Sequence, residues 1–179
     1  MSDMSFITAG MEYLAKSKDL KQTITELVRL AANACGSEMG SLYVLDPTDN
    51  CLKPFVLVNL PAEYTAGCTR IGLGEQCCGR AALHKIPWVV EDMLTDPLFI
   101  ACREAARIAG VRAAFSVPVL DAQGECIGTL ASHFREPFAP DTYALERSKL
   151  FAQLIAFAMA RYEKERSESV AAAASLAAD

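Results

Sequence analysis

Two strand-length runs near the end of the chain, 112–119 and 125–134, constrain its fold more than any other feature. Asp121-Ala122-Gln123-Gly124 lies between them, and Asp and Gly are the residues that tight turns demand, so the runs predict an antiparallel hairpin. A second hairpin is predicted from 41–45 and 55–58, joined through Asp46-Pro47-Thr48-Asp49-Asn50. Helical periodicity surrounds these strands. Phe6, Ile7, Met11 and Leu14 make a short amphipathic helix, and Asp19 caps another in which Leu20, Ile24, Leu27, Val28, Leu30 and Ala31 recur every third or fourth residue until Gly36. Residues 61–67 read as a short helix or loop, 76–84 and 98–109 as helices and 88–91 as a strand. A long helix is predicted from Pro140-Asp141-Thr142 to about Ser167, with an Ala-rich frayed tail or linker beyond it. Helices flanking such strands predict an α/β fold with a central, mostly antiparallel sheet, and terminal helices that pack together. The expected organisation is an N-terminal helix at 1–18, one domain at 19–162 and a C-terminal extension at 163–179.

The 179 residues, half of them apolar, can bury one core and do not demand two. A net charge of −5 without a basic block argues against a nucleic-acid groove. No positively charged segment precedes an apolar run at the N-terminus, and the longest apolar stretch, 151–160, is too short to cross a bilayer. The expectation is a cytoplasmic protein with no membrane partner. Seven cysteines are many for this length, yet they are scattered at 35, 51, 68, 77, 78, 102 and 126 and are expected to be reduced. No Cys-x-x-Cys occurs and His84 and His133 are far apart, so neither a metal nor a cofactor is expected. Cys77 and Cys78 are too close along the backbone for a relaxed disulfide.

Strand alternation sorts the candidate site residues. Arg112, Ala114 and Ser116 share one face of their run, and Thr129, Ala131 and His133 share one face of the next. Cys78 follows Gly72-Leu73-Gly74 at a helix start, where the helix dipole favours a thiolate; the alternative is a small residue that lets the helix pack close to the sheet. The last helix carries two apolar stripes, Leu150, Leu154 and Phe157, and Phe151, Ile155, Ala158 and Tyr162. One stripe suffices to pack on a sheet, so the second implies a homodimer through the terminal helices, with Phe151 and Ile155 expected at its interface.

The segments 70–82 (RIGLGEQCCGRAA), 87–92 (PWVVED), 95–98 (TDPL), 110–119 (GVRAAFSVPV) and 124–130 (GECIGTL) stand in the order of parts of a GAF domain, which the chain resembles over 19–162. The resemblance implies a sensory domain that binds a small molecule between its sheet and the irregular segments at 61–107, and that passes the signal through its terminal helices to an output domain such as a histidine kinase. It places the faces of Arg112, Ala114, Ser116, Thr129, Ala131 and His133 on the pocket side, together with Cys78 and Cys102, and implies a small cavity for a neutral or anionic ligand. The motifs that other GAF domains use for cyclic nucleotides or bilins are not visible.

Within that family Cys68, Cys78 and Cys102, ten and twenty-four residues apart, are similar to the three cysteines of the free methionine-(R)-sulfoxide reductases. That resemblance implies Cys102 as nucleophile, Cys68 as resolving thiol and Cys78 as the third position. The carboxylates with which those enzymes hold their substrate are replaced by Ala114, Ala131 and His133. A substrate ammonium would lose its partners, so the chain is expected not to be an enzyme, with the reductase as the alternative.

Overall fold

The computed structural model describes residues 3–176, and the last three residues of the expected tail lie outside it. The order of elements is α1 (Asp3–Lys16), α2 (Leu20–Ala34), β1 (Met39–Asp46), β2 (Cys51–Val58), α3 (Ala62–Ala66), β3 (Ile71–Gly72), α4 (Gln76–His84), β4 (Trp88–Val90), a 3-10 turn at Pro97–Cys102, α5 (Arg103–Ala109), β5 (Ala113–Leu120), β6 (Cys126–Phe134) and α6 (Thr142–Leu176). Six strands form one sheet in the order β3-β2-β1-β6-β5-β4, and every neighbouring pair is antiparallel. This is the α/β architecture the sequence predicts.

Local chemistry explains the element boundaries. Asp19 Oδ1 accepts the Gln22 N–H at 2.7 Å and starts α2, and Gly36 at φ 77° ends it. In the β5–β6 turn Asp121 Oδ1 accepts from the backbone of Gln123 and Glu125, and Gly124 takes φ 79°.

The sequence predicts a single helix over 98–109, whereas Asp96 and Pro97 start a 3-10 turn that ends at Cys102 before α5 begins. Two-residue β3, which pairs with Leu52 and Cys51, is too short to carry a periodic signal. The last helix runs to Leu176, past the predicted end, because its Ala-rich end is strongly helix-forming. No helix among the described residues is long and apolar enough to cross a membrane.

Strand alternation divides the interior into two cores. On one face Phe115, Val117 and Leu130 meet Ile24 and Leu27 of α2 and Phe151 and Ile155 of α6. On the other, Tyr43, Ala114 and Ala131 meet α4 and the irregular segments.

The expected interface stripe on α6 is corrected here. Phe151, Ile155 and Ala158 are buried within the chain itself, against α2, the sheet and α1, so they are core. A Cβ on Gly10 would stand 3.2 Å from both Leu27 and Phe151, which shows how closely α1 is seated. Arg161 of α6 donates to the carbonyl oxygens of Leu14 and Ser17 and so closes the C-terminus of α1. Leu150 and Phe157, of the other stripe, are exposed.

Candidate functional site

The site is assembled where α4 crosses the sheet beneath α3 and the 3-10 turn. Gly79 makes the crossing possible: a Cβ there would overlap the carbonyl oxygen of Gly72. The 72–75 turn is closed by Glu75 Oε2, which accepts the Gly72 N–H at 2.9 Å. Gln76 then opens α4 in the left-handed region at φ 48°, a costly conformation for a residue with a side chain, and one that often marks functional sites. Its amide oxygen lies 3.5 Å from the Cys68 sulfur. Arg80, one turn on, donates to Leu98 O at 3.1 Å and stands over Trp88, whose ring stacks on His84. Arg80 thus ties α4 to the turn that ends in Cys102.

Four of the seven cysteines gather here, and they differ sharply. Cys77 is buried and donates to the carbonyl oxygens of Trp88 and Ala114. Cys78 is also buried, and burial pushes its thiol up despite the neighbouring Ser116 and Thr129 hydroxyls. Of the two readings of Cys78, the structure supports the small packing residue: desolvation outweighs the dipole, and Cys78 packs as a small apolar residue.

Cys102 behaves in the opposite way. Half-buried at the end of the 3-10 turn, it is pulled down to about 7, chiefly by its interaction with the neighbouring Cys68 thiol, while burial and the Glu75 charge oppose the shift. The Cys68 proton is held correspondingly tightly, first by that interaction and then by burial. The arrangement is an accessible nucleophilic sulfur with a buried, protonated thiol beside it.

The sheet side supplies a neutral wall. Ala114 and Ala131 stand on the face the alternation predicts, with His133 beside them. His133 is 4% exposed, and Ser41 Oγ lies 3.0 Å from its Nε2. Tyr64 packs edge-on to the ring at 5.5 Å, and Nδ1 has no partner. Burial holds its pKa down at about 4, so it is neutral near pH 7. Ser116 Oγ donates to the Leu130 carbonyl oxygen.

Two expectations change. Arg112 precedes β5, and its guanidinium is held bidentately by Asp92, at 3.0 and 2.6 Å, so it is not free to clamp an anion. The space expected as a small cavity is filled by Tyr43, Tyr64, Met93 and Phe99, all buried. Tyr64 lies in the short α3, Met93 in a loop and Phe99 in the 3-10 turn, segments too short for a period to mark an inward residue. Among the described residues no group of three or more His, Cys, Asp or Glu side chains is placed to hold a metal ion.

The backbone is similar to that of the free methionine-R-sulfoxide reductase of Neisseria meningitidis, solved with its substrate. The TM-score is 0.76 at 21% identity, covering 91% of each chain. It is similar also to the GAF domain of a phosphoenolpyruvate-protein phosphotransferase from Coxiella burnetii, with a TM-score of 0.78 at 16% identity over 92% of this chain and 96% of that one. A curated relative, the methyl sulfide methyltransferase-associated sensor of Methanosarcina acetivorans, is 24% identical over 151 residues; the match covers 83% of this chain and only 15% of the relative's length.

The expectation that the chain is not an enzyme is overturned by the reductase match, which extends over nearly all of both chains. Missing carboxylates at Ala114, Ala131 and His133 bear on which substrate fits, not on whether Cys102 can react. Residues 19–159 match the GAF domain family over most of the chain, and the protein belongs to that family.

Proposed function

We propose that this GAF domain responds to a small molecule through thiol chemistry at Cys102 and Cys68. The observation that carries the reading is the meeting of half-buried Cys102, its pKa pulled down to about 7 chiefly by Cys68, with Cys68 itself, a buried thiol whose proton is held tightly. The Cys102 thiolate attacks an oxygen donor such as a sulfoxide or a peroxide and takes its oxygen atom, and with a sulfoxide a proton from water completes the sulfenic acid as the reduced donor leaves. The Cys68 sulfur then attacks the sulfenic sulfur: an S–S bond forms, the S–O bond breaks, and the hydroxyl leaves as water with the Cys68 proton. Two thiols have supplied two electrons, and an external dithiol of the thioredoxin kind restores them. Gln76 and Arg80 position the pair, and Cys78, Ser116 and Thr129 back it from the sheet.

Reduced protein treated with one equivalent of hydrogen peroxide should yield a disulfide-linked peptide pair containing Cys68 and Cys102, absent from Cys102→Ser and reversed by thioredoxin. A disulfide elsewhere, or none, contradicts the reading. Steady NADPH consumption with thioredoxin, its reductase and excess oxidant identifies a catalyst, whereas a disulfide that outlives its reductant identifies a sensor.

A relay through the terminal helices is a second reading, supported by the exposed Leu150 and Phe157 on α6. Phe157 borders an apolar groove of about 420 Å³ lined by Ile127, Ala156, Met159 and Ala160. A second copy of this chain would cover that face, and α6, roughly 52 Å long, would lead from it toward an output domain such as a histidine kinase. Light scattering should give twice the monomer mass for the wild type and the monomer mass for Phe157→Glu. A wild-type monomer at high concentration ends this reading.

A further inference from the structure

A dithiol that is oxidised needs an outside reductant, and burial decides which sulfur that reductant can touch. Cys68 is 2% exposed, whereas Cys102 is half-buried at the end of its 3-10 turn. Leaving-group chemistry alone favours attack at Cys68, which would expel Cys102, the more acidic thiol of the two. Access forbids it. An incoming thiolate meets Cys102, so the molecule that carries it must lie against the surface around that residue.

That surface carries exposed apolar side chains. Phe99 and Cys102 are three residues apart in the 3-10 turn and so share its inward side, where Phe99 is buried. Leu98 and Ile100 flank that side and stand 57% and 64% exposed. At about 2 Å of rise per residue they lie roughly 8 and 4 Å along the turn from Cys102. Transient redox complexes bury up to about 1,200 Å² in all, so one partner covers roughly 600 Å², a disc of about 14 Å radius. A protein that brings a thiol to Cys102 therefore covers both side chains, and a small thiol need cover neither. The rim is charged. Arg80 donates to Leu98 O and Arg103 to Asp96 O, so both guanidiniums are fixed to this turn, and among the described residues neither has an ion-pair partner. Nearby carboxylates are engaged by backbone: Asp96 Oδ1 accepts the Leu98 N–H, and Glu75 the Gly72 N–H. A carboxylate on the partner would meet the unpaired Arg103.

We propose that the turn at Pro97–Cys102 is the docking surface for a protein dithiol reductant, which seats apolar surface on Leu98 and Ile100, sets a carboxylate by Arg103 and forms its mixed disulfide with Cys102. This rests on the dithiol reading above. The partner's thiolate bonds to Cys102 Sγ, the Cys68–Cys102 bond breaks, and Cys68 leaves with the electron pair and takes a proton from water. The partner's second thiol, its proton released to water, then attacks the partner's own sulfur in the mixed disulfide. An S–S bond forms within the partner, and Cys102 leaves with the second electron pair. The partner has given two electrons and ends as a disulfide.

The test oxidises the full chain with hydrogen peroxide and mixes it with a thioredoxin whose resolving cysteine is replaced by serine, which traps the mixed disulfide. The trapped peptide should contain Cys102, and a link at Cys68 or any other cysteine overturns the proposal. With intact thioredoxin the double variant Leu98→Ser, Ile100→Ser should be reduced about tenfold more slowly than wild type, and Arg103→Gln about threefold. Dithiothreitol should reduce all three proteins at one rate. A thioredoxin rate unchanged in the double variant overturns the docking surface, and one unchanged in Arg103→Gln overturns the charged rim. If the dithiothreitol rate falls in step, the substituted residues act on the disulfide itself and the proposal fails. It fails also if thioredoxin reduces the wild type no faster than dithiothreitol at equal concentration. The peroxide step separates the two levels: if no Cys68–Cys102 bond forms, the dithiol reading fails and this inference falls with it. If the bond forms and thioredoxin then reduces all three proteins alike, only this inference is lost.

Discussion

The two faces of one sheet carry cores of opposite kinds. Toward α2 and α6 the buried side chains include Ile24, Leu27, Phe115, Leu130, Phe151 and Ile155, and the one titratable group in that cluster is Cys35, whose thiol burial pushes up. Toward α4 and the irregular segments the same strands face Cys68, Cys77, Cys78, Tyr43, Tyr64 and His133. The backbone is shared, since Ala114 and Phe115 are neighbours in β5 and point into different cores. What separates the faces is the two-residue period of a strand, which lets one frame hold apolar packing on one side and reactive groups on the other. The apolar side holds the frame rigid, and the polar side uses that rigidity to keep two sulfurs in register.

The largest expected effect breaks the comparison if it fails. Phe151→Glu places an unpaired carboxylate in the apolar core and should cost roughly 4 kcal/mol or more, enough to unfold a marginal domain. Cys102→Ser, in the half-buried turn on the other face, should stay within about 1 kcal/mol of wild type. Urea midpoints of the two variants measure this, and similar losses would mean that the faces do not divide the work.

Much of this division is legible in the sequence, because strand alternation needs no structure to be read. Ala114, Ala131 and His133 stand on the face predicted for them, and Asp19 and Asp121 start the helix and the turn their positions predict. The roles of Arg112 and Phe151 were not legible, each for a physical reason, and for Cys78 the sequence left two readings open. Asp92, which holds Arg112, is twenty residues away, and no local rule links them. The depth at which Cys78 sits, which decides its ionisation, is set by the Gly79–Gly72 crossing and not by its helix. Which α6 stripe is core depends on where α1 and α2 are seated, a tertiary choice that periodicity cannot make. Cys68 and Cys102 are brought together by a 3-10 turn that carries residue 102 back toward α3, a tertiary feature that no local rule foretells.

A smaller effect sharpens the comparison through pH. His133 titrates at about 4 in the folded chain against an ordinary 6.5, because burial disfavours its charged form. Between those values the unfolded chain binds a proton that the folded one does not, so this contribution is fully present above about pH 6.5 and is lost as pH falls toward 4. The total is roughly 3 kcal/mol. The fall in urea midpoint from pH 7.5 to 4.5 should therefore be steeper in wild type than in His133→Gln, which has no ring to protonate. Equal falls would mean that the reactive face does not hold a buried neutral imidazole.

The most direct test of the central claim is the pH profile of Cys102 alkylation, followed by mass spectrometry of its peptide. In the wild type the rate should rise with pH and level off with a midpoint near 7, where the Cys68 hydrogen bond places the thiolate. In Cys68→Ala, which removes the donor, the midpoint should move up toward the ordinary thiol value. Identical profiles in the two proteins, or a wild-type midpoint already near that value, would contradict the claim that Cys68 activates Cys102.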